Sequence, residues 1–414
     1  MKSISLLFFM FFLLGIKGQN LEYLYKESLK AYEAKDYQKF KDLNLKAIEL
    51  NPSQPTFLYN LAVGYALTDE EEEAMIILKR LLTWNAALKY QEDKNLNALL
   101  SDDDYSNILS SERDKYKALT VSSNSFGSFS DSFHLEDLVK IGSRFFFTDV
   151  HSGNVYQYDS KLNKTTLLVQ MPLSALGIIK GDKSNEVWIS TAKLAQFKNK
   201  NQSPPRPFIC KVNVDSGAIV DKIALPQETI VGSMVLGENN MLYASNSATP
   251  EILVIDILKK EIVKTIRIMD GVNLQGLTLD RARGQLFVAD YVKGILIVEL
   301  ENDNNMMWLT SKEYLLKGID GLYNLSTGKL LAIQNNSTPK RVVKIMYLND
   351  QVLTVDLLDN GLKVKGEPTN GFYEEELGFY YITNSQWPFY DKENKPLYKA
   401  WEKQQIRLIP VEKL

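Results

Sequence analysis

A phrase repeated along the C-terminal two thirds of the chain constrains its fold more than any other feature. The clearest copy runs from Gly318 to Asn335 (GIDGLYNLSTGKLLAIQN): a polar opening with Asp320, a strand to about Tyr323, a turn at Gly328 and a second strand closing on Asn335. It recurs at Gln275–Asp290 and Ser233–Asn246, more loosely at Glu136–Asp149 and Asn370–Asn384, and in degraded form at Leu176–Thr191. A unit this short cannot bury its apolar face alone, so copies must stack to share a core. Six copies at roughly 40–55-residue spacing predict a six-bladed β-propeller. The expected domain is 133–414, where runs such as EVWIST, ILVIDI, QLFVAD and FYYIT alternate with Gly, Asn and Asp turns. Residues Phe197–Pro207 read as a long loop inserted in the second blade, because proline cannot donate to a strand ladder.

Ahead of the β region the period becomes helical. From about residue 20 to 120, two stretches 34 residues apart begin at Leu24 and Leu58, and Pro52 stops the second helix of the first stretch. In the second stretch Leu58, Leu61, Ala62, Tyr65, Ala74, Leu78 and Leu81 recur at i, i+3, i+4 spacing, the stripe of packed helices. The 34-residue register, the AYEAKDY run and the terminal Pro resemble a pair of tetratricopeptide repeats, with residues 92–119 expected to cap them. Such repeats imply a groove for a protein partner; the alternative is a helical appendage packed on the propeller. Residues 121–132 (VSSNSFGSFSDS) are expected to be a flexible linker. The fold class is therefore multidomain: a short α-helical domain followed by an all-β propeller.

Residues 1–19 read as a secretory signal peptide: Lys2 precedes thirteen apolar residues, Ile4 to Ile16, too few to span a bilayer. The mature chain is then exported, periplasmic or secreted, with no membrane span. The single cysteine, Cys210, excludes an intrachain disulfide and a cysteine-based zinc site, and reads as a buried strand residue. A bacterial envelope suits a cystine-free exported chain. The net charge of −3 leaves no basic footprint for nucleic acid.

Matching the phase of the phrase gives one expected ring at the channel mouth: Glu136, Leu176, Ser233, Gln275, Asp320 and Asn370. The residue closing each second strand gives another: Asp149, Thr191, Asn246, Asp290, Asn335 and Asn384. Nearly all are oxygen donors and none is Lys or Arg. Hard oxygen ligands suit Ca2+, with Mg2+, Mn2+ or Zn2+ as alternatives. His134 and His151 flank the first copy closely enough for a histidine dyad at the same rim. Trp387 and Phe389 are candidates for an aromatic wall.

The stretches around Glu136–Asp149, Gln275–Leu300, Gly318–Val342 and Pro368–Trp387 resemble the senescence-marker-protein/gluconolactonase (regucalcin-like) family over about two thirds of the chain. That resemblance implies a divalent-cation-dependent hydrolase of small lactones or esters. It implies Glu136, Gln275 and Asp320 as metal ligands, and Asp320 as the catalytic base. Gln275 stands where the family has Asn, with Asn273 near but out of phase. The family's Asn-Asp-Gly motif has no counterpart at Val231–Ser233. Ser233, Asn246, Asp290, Asn335, Asn370, Asn384, Asp149 and His151 are the expected substrate-binding residues. The alternative function is a non-catalytic scaffold for a ligand or protein; a condensation of the strictosidine-synthase kind is a distant third.

Overall fold

The computed structural model describes residues 20–129, 132–199, 205–303 and 305–414. The signal peptide expected at 1–19 and part of the insertion, 200–204, lie outside these residues. The described chain forms two compact units. One holds the helices through Ala118 together with 292–294 and 311–317; the other holds Leu119–Tyr291, Ile295–Thr310 and Gly318–Leu414.

The helical unit follows its capping signals. Helix α1 covers 20–33, α2 Tyr37–Leu50, α3 Pro55–Leu67, α4 Glu71–Leu82, α5 Asn97–Leu100 and α6 Asp103–Lys117. Asp36 caps α2 by accepting from the Lys39 N–H, Pro55 opens α3, and Asp102 caps α6 by accepting from two backbone N–H groups. The acidic run resolves into a turn at Asp69, with positive φ, and the first turn of α4, where Glu71–Glu73 face the positive end of the helix dipole. Ala31, Phe40, Ala62, Ala74, Leu78 and Leu82 form the core. Leu58 and Leu81 instead bury themselves with Leu315.

The second unit is a six-bladed propeller of six sheets. Their first strands are Leu135–Ile141, Ser174–Lys180, Val231–Leu236, Leu274–Asp280, Ile319–Ser326 and Gly371–Glu374. Each packs against the first strand of the next sheet, and the sixth packs against the first, closing the ring. Hydroxyl groups stitch neighbouring blades: Thr148 donates to the Leu176 carbonyl, Ser190 to Val231 at 2.7 Å and Ser245 to Gln275 at 2.6 Å. Cys210 is buried against Met171, and burial pushes its thiol up to about 12.

The expected linker is corrected by the strand pairing. Thr120–Val121 joins the fifth blade, and Asn124–Ser128 is the outermost strand of the sixth, paired with Gln405–Pro410. Serine and glycine composition favours a loop, but Phe126 packs on Phe145 and Tyr380, and Phe129 on Phe147 and Tyr158. One buried ring and one partly buried ring outweigh local propensity.

Candidate functional site at the end of the channel

In each of the first five blades the innermost strand opens with the same bulge, two residues opposite one. The pairs are Glu136–Asp137, Leu176–Gly177, Gly232–Ser233, Gln275–Gly276 and Asp320–Gly321. A bulge twists the strand and re-aims its side chains. The first member of each pair forms the inner ring: Glu136, Leu176, Gly232, Gln275 and Asp320, with Asn370 from the sixth blade.

The second member meets the next blade. A Cβ on Gly177 would stand 2.8 Å from the Gly232 carbonyl oxygen, and one on Gly276 2.5 Å from that of Asp320. Where the second residue is not glycine it is a short acceptor: Asp137 takes the Ile178 N–H at 2.9 Å and Ser233 the Leu277 N–H at 3.1 Å. The register therefore puts Gly232 in the ring and Ser233 one place beyond it. Ser233 is the second member of its pair and closes a blade seam.

The second expected ring is largely occupied by backbone. Asp149 accepts from the His134 and Ser152 N–H groups, Asn246 from Ile230 and Ala248, and Asp290 from Val272 and Asn273. Asn384 accepts from the Gln405 N–H and donates to the Lys403 carbonyl. Asp149, Asn246 and Asp290 tie the loop entering their blade to its second strand, and Asn384 ties that strand to the segment leading into Gln405–Pro410. Asn335 differs because Gln334 holds the equivalent register position, opposite Ile319. One residue further on, the Asn335 amide donates to Asp320 Oδ2 at 2.8 Å and accepts from the Tyr291 hydroxyl at 2.8 Å. Thr369 donates to the same Asp320 oxygen at 3.2 Å.

Glu136 and Asp320 are brought into one electrostatic environment. Trp387 Nε1 donates to Glu136 Oε2 at 2.7 Å. Glu136 Oε1 and Asp320 Oδ1 have no hydrogen-bond partner among the described residues. Burial raises the Glu136 carboxyl well above its ordinary range, and the neighbouring Asp320 charge adds to this. Asp320 keeps some accessible surface in the channel but is enclosed by protein; burial, then the Glu367 charge, pushes it up to about 7 against the pull of its Thr369 and Asn335 bonds. Glu367, itself raised by burial, pairs with Lys340 at 3.2 Å. Gln275 Nε2 donates to Asn273, and its Oε1 lies 3.7 Å from where a Cβ on Gly232 would stand. Asn370 Oδ1 lies 3.3 Å from the same point on Gly321.

The histidines are committed elsewhere. His134 Nδ1 meets the Tyr390 hydroxyl at 2.8 Å, and burial holds its pKa down at about 3. His151 Nδ1 meets the Gln196 carbonyl at 2.7 Å and Nε2 the Tyr398 hydroxyl at 2.8 Å. Since a carbonyl only accepts, the neutral ring carries its proton on Nδ1 and accepts from Tyr398. Together with Trp387 and Trp401 these tyrosines form an aromatic cap from the 387–401 segment over both histidines. No histidine–histidine bond forms among the described residues, so the two serve as anchors of the cap.

Sequence reasoning missed Asp137, Glu367 and Thr369. Asp137 had a signal: it stands where four other copies of the phrase carry Gly. Glu367 and Thr369 precede the sixth copy, outside the repeated phase.

Among the described residues, no group of three or more His, Cys, Asp or Glu side chains is arranged to hold a metal ion. Two carboxylates with free oxygens and an amide oxygen remain, a donor set suited to a hard cation.

No protein-family model matches the chain, and no curated protein matches it. Solved structures similar to it include a nidogen–laminin complex (13% identity, 54% of this chain and 80% of that one, TM-score 0.43). A luciferin-regenerating enzyme is 12% identical over 68% of this chain and 94% of its own, with TM-score 0.49. A mitotic checkpoint complex chain is 10% identical over 66% and 77%, with TM-score 0.45. These values carry no argument about activity or partners. The propeller rests on its own strand topology.

Proposed function

We propose that the end of the propeller channel is a divalent-cation-dependent hydrolase site of the lactonase type, acting on a small lactone or ester. The observation that supports it is the pairing of Glu136 and Asp320: two enclosed carboxylates, each with a free oxygen, whose ionisation the site itself resists. Glu136, Asp320 and the Gln275 amide oxygen would hold the ion, Ca2+ first by donor chemistry. Bound there, it would polarise a carbonyl and acidify water.

The chain's own groups account for the proton. In the cation-free site burial and the Glu367 charge push Asp320 up to about 7; a bound ion would lower this and favour the ionised form that a general base needs. Asn335 and Thr369 hold Oδ2, so Oδ1 is the oxygen that takes a proton from the attacking water. As the water oxygen bonds to the carbonyl carbon and the ester C–O bond breaks, that proton passes to the leaving oxygen. Trp387 fixes the Glu136 carboxylate.

Export of the mature chain and a protein partner for the tetratricopeptide-like helices belong to the same reading. Among the described residues no helix is long and apolar enough to cross a membrane. A second reading, a non-catalytic ligand-binding scaffold, is favoured by Leu176 and Gly232, which leave two of six ring positions without a side-chain donor.

The deciding experiment is the thermal unfolding midpoint in EDTA against each of Ca2+, Mg2+, Mn2+ and Zn2+, followed by a lactone panel. A ligand that binds only the native state raises the midpoint by mass action. A rise lost in Glu136→Ala and Asp320→Ala, with turnover of any lactone, supports the enzyme. No rise with any cation sinks the metal site and leaves the scaffold.

A further inference from the structure

We propose that the helical unit carries a second binding site, an oxyanion pocket built around Arg80 that takes a small molecule bearing a phosphate or paired carboxylates. A cavity of about 410 Å³ lies between α4, α6 and residues 312–314, all within that unit. Its volume falls in the range of small-molecule sites.

The charge on its walls is unbalanced. Lys79, Arg80, Lys115 and Lys312 line it against Glu112 and Glu313. Lys79 and Lys312 enter no ion pair among the described residues, and Lys115 approaches Glu112 only to 3.8 Å. Arg80 is the focus. Its Nε donates to the Tyr314 carbonyl at a long 3.4 Å, and no carboxylate pairs with its guanidinium among the described residues. Burial pushes its pKa down, with no neighbouring acid offsetting the effect.

Arg80 is partly buried, and holding a cation there without a counter-charge carries a cost that an anion entering the cavity relieves. The planar guanidinium fork matches carboxylate and phosphate oxygens in a two-point contact. Placement in the last turn of α4 suits the helix dipole for Lys79 and Arg80. It does not account for Lys115 from α6 or Lys312 from a separate segment converging on the same space.

The test uses the full chain stripped of metal with EDTA and then dialysed into chelator-free buffer at low ionic strength, so that no bound cation offers the anions a second site and no polycarboxylate competes for the pocket. Inorganic phosphate and succinate are titrated calorimetrically, with sodium chloride at matched ionic strength as control. Saturable binding of either is expected; the tighter of the two names the class, phosphate ester or dicarboxylate. Arg80→Gln should weaken binding roughly tenfold or more, the loss of a charge-assisted hydrogen-bonding partner. Should that variant fail to fold, the exposed Lys79→Gln/Lys312→Gln double variant still decides, with severalfold weaker binding expected. Absence of saturable binding by both anions, or a lysine double variant that binds like the parent, overturns the proposal.

Discussion

Replacing Asp320 by asparagine should make the propeller more stable at neutral and alkaline pH. The folded protein holds the Asp320 proton more tightly than the unfolded chain does, since the carboxyl rises from 3.8 to about 7. The stability linked to that proton is complete below pH 4 and is lost as the pH climbs through 7. A rise of this size corresponds to about 4 kcal/mol, of which about 2–3 kcal/mol falls between pH 5 and 8. Asparagine cannot ionise, yet its amide oxygen can still accept from Asn335 and Thr369, the two groups that hold Oδ2. Urea unfolding of parent and Asp320→Asn in EDTA, from pH 5 to 9, should show the variant gaining on the parent as pH rises. With Ca2+ the order should reverse on the proposed function, because the variant loses a ligand. A difference between the two proteins in EDTA that stays constant with pH would refute the reasoning, since it would place the carboxylate in an unstrained setting.

Four further outcomes are expected. Trp387→Phe keeps an aromatic ring but removes the N–H on Glu136 Oε2, a bond that favours the ionised acid; the pH midpoint of cation binding, followed by calorimetry, should move upward. Gly276→Ala puts a methyl group 2.5 Å from both the Asp320 carbonyl oxygen and the Leu322 nitrogen, and should cost about 2–3 kcal/mol in urea unfolding. Gly284→Ala, at φ +61 with open space around it, should cost only about 1 kcal/mol. His134 is held neutral by burial, its pKa falling from 6.5 to about 3, so its contribution is present above pH 6.5 and is lost as the pH falls toward 3. His134→Asn should flatten the acid limb of the stability profile; an unchanged limb would assign that limb to other groups.

The propeller was legible because its repeat has a structural cause: every copy builds an inner strand, a turn and a second strand. The inner acids were legible for the same reason, since Glu136 and Asp320 share a phase. Phase matching failed where the copies differ in their polar residues. The third copy was started on Ser233, the first polar side chain, so Ser233 was placed in the ring that Gly232 occupies, and Asn335 was grouped with loop-tying residues from which it departs by one position. The helix stop at Pro52 read directly, whereas Phe126 and Phe129 were hidden by the serines and glycine around them. Glu367 reaches the site through the Glu367–Ser385 bridge, a pairing that no local pattern announces.

The strand Asn124–Ser128 carries a consequence for how the molecule is made. Ser128 pairs with Gln405, at the far end of the β region. During synthesis, at roughly 5–20 residues per second, that strand emerges before any blade and its partner only after about 280 more residues. Five sheets can form as they leave the ribosome, while the sixth waits for both ends of the ring. Until then Asn124–Ser128 presents an unpaired edge, with Phe126 uncovered, to other nascent chains. The step that closes the ring is thus the longest-range contact in the propeller and the slowest by topology. A chaperone that shields this segment, or a C-terminal truncation before Gln405, would act on yield and aggregation well before it touched the channel.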